Sequence, residues 1–185
     1  MKKLVLVLML VAIIFAAGCA DSGNEDTNVS SEEGSLSGQE NLEKTEYQDL
    51  EWAHNVVTYT PIISQDLKNI STAAGAMDVY SLSTSSTFLE EHTKVAIEDC
   101  DSYVVSPELQ HGKDEYRAGL VDANNAATFY KLAVDYMKNG DTASATQAIT
   151  TGNDKMESGG SHFVNSSIVI NEYNKNNGLT TETVS

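Results

Sequence analysis

Between Leu109 and Met137 the apolar and small residues recur every three or four positions without a miss. They are Leu109, Gly112, Tyr116, Gly119, Ala123, Ala126, Tyr130, Ala133 and Met137, with Leu120, Ala127 and Val134 beside them. That spacing puts all of them on one face of an α-helix and does not fit the two-residue period of a strand. A second run, Ile149, Gly152, Met156, Gly159, Phe163, Ser166, Ile170 and Tyr173, repeats the pattern. In both, Gly or Ala alternates with Tyr, Phe or Met. Each glycine inside a helix costs about 1 kcal/mol relative to Ala, so Gly112, Gly119, Gly152, Gly159 and Gly160 need a compensation. Close approach of two helix backbones supplies it, with large side chains of one filling the space above small residues of the other. A small-ligand cavity beside these glycines is the rival explanation.

Upstream, Ala53, Val56, Thr60, Ile63, Leu67, Ile70, Ala74 and Met77 describe a first helical face from about Thr45 to Leu82. Pro61 predicts a kink or a break near Thr58–Thr60, because it removes a helical hydrogen bond and disfavours helix at the residue before it. Ser83–Ser86 reads as a turn, and Thr87 with Glu90 as the capping box of a second helix. Its inward face carries Leu89, Thr93, Ala96, Cys100 and Tyr103, which makes Cys100 a buried, inert thiol. Ser106-Pro107-Glu108 has the form of an N-cap, a first helical position and a dipole-favourable acid. Asn139-Gly140 ends the third helix and Asp141 caps the fourth. Trp52, the single tryptophan, falls off the seam and reads as a staple at a helix end. Tyr116, Tyr130 and Tyr173 point inward and need hydrogen-bond partners, for which Ser166 or Thr93 is available. His92 and His162 flank their seams. The expected architecture is all-α: an antiparallel up-and-down bundle of three to four long helices over residues 44–176, with 177–185 frayed.

The N-terminus belongs to a different class of segment. Met1-Lys2-Lys3 precedes fourteen apolar residues, Leu4 to Ala17, and then Gly18-Cys19. The apolar run is below the ~18 residues of a spanning helix and has the charged start and small-residue cleavage site of a secretory signal. Ala16-Ala17-Gly18-Cys19 resembles the lipobox of prokaryotic lipoprotein precursors, with Ala16 where that family more often has Leu. The resemblance covers residues 1–19 alone. It implies removal of a signal peptide over residues 1–18, lipidation of Cys19, and an extracytoplasmic protein attached to the membrane through that lipid. Residues 19–43 are rich in Ser, Gly, Asn, Asp and Glu and carry no Lys or Arg, the composition of a disordered acidic tether. A flexible chain of that length spans on the order of 28 Å.

Removing residues 1–18 takes away Lys2 and Lys3 and no acid, which leaves 9 basic against 27 acidic residues. A surface this acidic has no patch for phosphates, so nucleic acid is not an expected partner. Phosphate loops, paired-Cys metal motifs and nucleophile elbows are missing from the sequence. One constellation suggests chemistry. Bundles that hold two metals use Glu-x-x-His pairs on two helices, and this chain has Glu51/His54 and Glu108/His111, with Glu98 and Glu172 as further carboxylates. Their seam neighbours are Ala53 and Leu109, which puts the pairs on helix flanks. The expected function is therefore a binding or interaction module without catalysis or cofactor, its partner unspecified. The alternatives are a di-metal carboxylate bundle on Glu51, His54, Glu108 and His111, and a small-ligand-binding bundle.

Overall fold

The computed structural model describes residues 47–178. The signal peptide and tether expected over residues 1–43, with Cys19, and the end of the tail at 179–185 lie outside them. The described residues form four α-helices and no strand: α1 (Asp49–Ala76), α2 (Val79–Ser102), α3 (Pro107–Lys138) and α4 (Thr142–Asn176). Each packs on the next in sequence, and α3 with α4 makes the closest pairing. The protein is an all-α up-and-down bundle. At ~1.5 Å per residue, α3 and α4 each run about 50 Å. Among the described residues, no helix is long and apolar enough to cross a membrane.

Pro61 neither breaks nor ends α1, which runs through it for 28 residues. The carbonyl it deprives of a partner belongs to Val57, whose residue is exposed, so solvent can meet it. In the same turn the Thr58 and Thr60 hydroxyls donate to the carbonyls of His54 and Val56 at 2.8 and 2.6 Å. The first connection falls earlier than the Ser83–Ser86 run. Met77 adopts φ 52 as the left-handed C-cap of α1, and Asp78 caps α2 by accepting from the N–H groups of Tyr80 and Ser81. Ser83–Ser86 lie inside α2. Their hydroxyl groups turn back onto the helix instead of ending it: Ser86 Oγ donates to Leu82 O at 2.5 Å, and Thr87 Oγ1 to Ser83 O at 3.0 Å. Thr87 and Glu90 are therefore not a capping box, and Glu90 is held instead by Lys94 and Lys131.

The turn after α3 follows its sequence, with Gly140 at φ +75 and Asp141 accepting from Ser144 N. Ser106 sits at the N-cap of α3 but its hydroxyl makes no capping bond. Its N–H donates instead to Asp49 Oδ1 at 2.7 Å, and its carbonyl accepts from Leu109 and Gln110. The start of α1 is thereby laced to the α2–α3 connection, where Gln48 N also donates to Val104 O at 2.7 Å.

The glycine seams are packed. A Cβ on Gly119 would lie 2.7 Å from the Phe163 ring and 3.0 Å from Gly159 O, and one on Gly152 2.8 Å from the Tyr130 ring. Gly159 in turn faces Gly119 O at 3.0 Å. The space beside these glycines is filled, so no ligand cavity lies there.

Candidate functional site

The four candidate metal ligands do not converge. Glu51, His54, Glu108 and His111 are all exposed, as are Glu98 and Glu172. Among the described residues no group of three or more His, Cys, Asp or Glu side chains is gathered as a metal site. Glu51 and Glu108 occupy the first turns of α1 and α3, where a carboxylate complements the helix dipole.

Most of the charged side chains that do meet are committed to one another at the surface. Arg117 grips Asp101 through two hydrogen bonds, at 2.6 and 2.9 Å, and holds its carboxyl below the usual range. Lys131 and Lys94 share Glu90 at 2.5 and 2.7 Å and lower it likewise. Lys155 reaches Asp122 at 3.3 Å. His92 Nδ1 lies 2.6 Å from Asp66 Oδ2, its ring stacked on Phe88. His162 Nδ1 lies 2.8 Å from Glu115 Oε2, and that contact, followed by Asn165, depresses the Glu115 pKa. His92 and His162 are thus partly exposed helix-to-helix links.

The uncharged interior is different. Trp52 is fully buried and belongs to the core, not to a helix end. Its indole lies over the α3 backbone where Gly112 leaves room: a Cβ there would be 3.6 Å from Trp52 Cη2 and 3.1 Å from Val169 Cγ1 of α4. This contact fixes one layer of the bundle across α1, α3 and α4. One helical turn further into the bundle along each helix, about 5 Å, stand Asn55, Tyr116 and Ser166. They are 3%, 2% and 1% exposed. Tyr116 packs its ring on Phe163, with centroids 5.6 Å apart.

In that layer both amide atoms of Asn55, the Tyr116 hydroxyl and Ser166 Oγ are buried without a hydrogen-bond partner. Trp52 Nε1, in the layer below, lacks one too. Tyr116 faces the Thr60 hydroxyl, which donates to Val56 O and keeps its lone pairs able to accept. Burial pushes the Tyr116 phenol well above its ordinary value and raises the Cys100 thiol near the Trp52 indole. The other two inward tyrosines are satisfied, though not by Ser166 or Thr93. Tyr130 donates to Asn153 Oδ1 at 2.8 Å and Tyr173 to Asp49 Oδ2 at 2.9 Å, while Thr93 bonds its own helix and Asn124.

An unpartnered buried polar group costs about 1–3 kcal/mol, and native interiors satisfy nearly all of theirs. Several in adjoining layers mark this as the part of the interior least explained by folding alone. The site is lined by donors and acceptors and contains no ionised side chain among its unpartnered groups. It suits hydrogen bonding, not acid–base or nucleophilic work. Sequence reasoning placed Tyr116 and Ser166 inward but missed Asn55. The available signal was its place three residues after Trp52 and eight before Ile63, on the line that α1 buries. No protein-family model, curated protein or solved structure matches the chain.

Proposed function

We propose that the chain is a lipid-anchored, extracytoplasmic module that acts by binding and not by catalysis. The Ala16-Ala17-Gly18-Cys19 sequence supports attachment through lipid on Cys19. More than one acyl chain is needed for stable anchoring, and the acidic surface offers little attraction to anionic headgroups, so the lipid carries the attachment. The observation that carries the binding half is the division of polar groups. The titratable side chains that meet are engaged with one another, most of them at the surface, whereas uncharged hydrogen-bonding groups are left unpartnered in the interior. Cys19→Ser should move the protein from the membrane to the soluble fraction of fractionated cells. Retention of the variant on membranes would defeat the anchor.

A further inference from the structure

We infer that Asn177–Gly178 is a site of spontaneous covalent modification, at which the Asn177 carboxamide becomes an aspartyl or isoaspartyl residue, while the Asn139–Gly140 pair at the other end of α4 is protected by the fold. These are the two Asn-Gly pairs of the chain. With no Cβ on the glycine, its backbone nitrogen is free to approach the asparagine side chain. The Gly178 nitrogen gives up its proton to solvent and bonds to Asn177 Cγ. The Cγ–Nδ2 bond breaks, and Nδ2 takes up a proton and leaves as ammonia. Water then opens the cyclic imide at either carbonyl, giving aspartate or the isoaspartate with its extra backbone methylene. Water is the only co-reactant.

The two pairs are matched in everything local. All four residues are exposed. Asn139 and Asn177 are both helix C-caps, with ψ 0 and ψ 7, and Gly140 and Gly178 have φ +75 and +66. What differs is what each turn is tied to. Gly140 N donates to Met137 O at 3.0 Å, Gly140 O accepts from Thr142 N at 3.1 Å, and Asp141 N donates to Tyr136 O at 2.9 Å. Freeing the Gly140 nitrogen therefore disturbs the end of α3 and the start of α4 together, and these two helices make the closest pairing of the bundle. At Asn177 the bonds all run back into α4. Gly178 N reaches Lys175 O at 3.3 Å, and Asn177 N and Nδ2 reach Tyr173 O at 3.1 and 2.9 Å. Among the described residues no further element follows. A helix end of this kind opens at little free-energy cost, whereas a turn between packed helices opens only with them.

The product bears on the contact with α1. A new carboxylate at the C-terminus of α4 opposes the helix dipole, and neither product keeps an Nδ2 to bond Tyr173 O. Tyr173 is the residue whose phenol holds Asp49 of α1.

The test incubates the purified full chain at mildly alkaline pH in water enriched in heavy oxygen, which labels each carboxyl made by opening the imide. Digestion in ordinary water after Lys138, Lys155 and Lys175 separates the pairs into peptides 139–155 and 176–185, and fragmentation in the mass spectrometer places the label. Asn177 should convert at least about tenfold faster than Asn139, since local opening spans from near zero to the global stability. In denaturant the two rates should draw together. Asn177→Gln should remove the label from peptide 176–185. Equal rates in the folded chain, faster conversion of Asn139, or label persisting in the variant peptide would each overturn the assignment. An Asn139 that stays slow in denaturant would show that the fold is not what protects it.

Discussion

The α3–α4 pair and the α1–α4 seam meet in the same bundle and solve opposite problems. Along α3–α4 small residues let backbone meet backbone, as at Gly119 and Gly159; of the two buried phenols on that face, Tyr130 has its partner in Asn153 and Tyr116 packs its ring on Phe163. Along α1 the contacts to α3 and α4 run through side chains: the Trp52 indole over Gly112 and the Tyr173 phenol on Asp49. Here Asn55 and Ser166 go without partners. The first arrangement offsets glycine's low helix propensity with dry backbone contact. The second leaves hydrogen-bonding capacity unmet, and a region tuned for stability alone would not do so.

The largest effect expected from breaking this division lies at Gly159. A Cβ there would stand 3.0 Å from Gly119 O, 3.4 Å from Asp122 Cβ and 3.7 Å from Ala123 N. Two of those neighbours are backbone, so nothing can rotate away, and one helix has to move. Gly159→Leu should destabilise by about 1–3 kcal/mol through overpacking, seen as a lower midpoint in thermal or denaturant unfolding. An unchanged midpoint would mean that α3 and α4 are not held backbone to backbone.

That contact was legible from composition and period alone, because both glycines sit on an unbroken seam and only close packing repays them. The α1 side was harder to read, for identifiable reasons. Its buried line runs through Trp52, Asn55, Ile63, Asp66, Ile70, Ala73 and Ala74; it shares Ile63, Ile70 and Ala74 with the apolar period but starts one position off Ala53 and Val56. Two of its members are polar, so a search for apolar periodicity passes over them. Asp66 is inward because His92 of α2 answers it, a pairing across the bundle that no local pattern displays. The α1–α2 boundary was missed because a run of serines has the composition of a turn. In a helix the same hydroxyl groups can bond the carbonyls three and four residues back, and Asp78 offered the better cap.

Alkaline pH should act first on the α1 side. The hydrogen bond from Tyr59 to Asp99, at 2.6 Å, and then burial push the Tyr59 phenol up to about 12 from 10.0. A group whose pKa is raised on folding contributes stability that is fully present below the unfolded value and lost as pH climbs through the folded one. The window is therefore 10.0 to about 12, and the tie that weakens is between α1 and α2. Tyr130, pushed further up by burial alone, should stay un-ionised until the bundle opens. Thermal midpoints of wild type and Tyr59→Phe, compared across that window, should converge as pH rises. A gap that stays constant would show that Tyr59 contributes no linked protonation. On the acid side Glu90, Asp101 and Glu115 have lowered pKa values. Their contribution is present above the ordinary carboxylate values and is lost as pH falls through the lowered ones.

The smallest effect, and the sharpest contrast with Gly159, should come from Gly112→Ala. The new methyl would meet Val169 Cγ1 at 3.1 Å, Val169 Cβ at 3.2 Å and Trp52 Cη2 at 3.6 Å. All three are side-chain atoms, and Val169 rides on a stretch of α4 that is only half-buried, so a shift of a few tenths of an ångström relieves the contact. Against it stands the gain of about 1 kcal/mol from replacing Gly by Ala within a helix. The two terms nearly cancel, and the unfolding midpoint should move by no more than the equivalent of about 0.5 kcal/mol, the size typical of tolerated substitutions. The same one-methyl change at Gly159 meets a carbonyl oxygen that cannot step aside and should destabilise. If Gly112→Ala costs as much as Gly159→Ala, the Val169 side chain gives way no more readily than the Gly119 carbonyl.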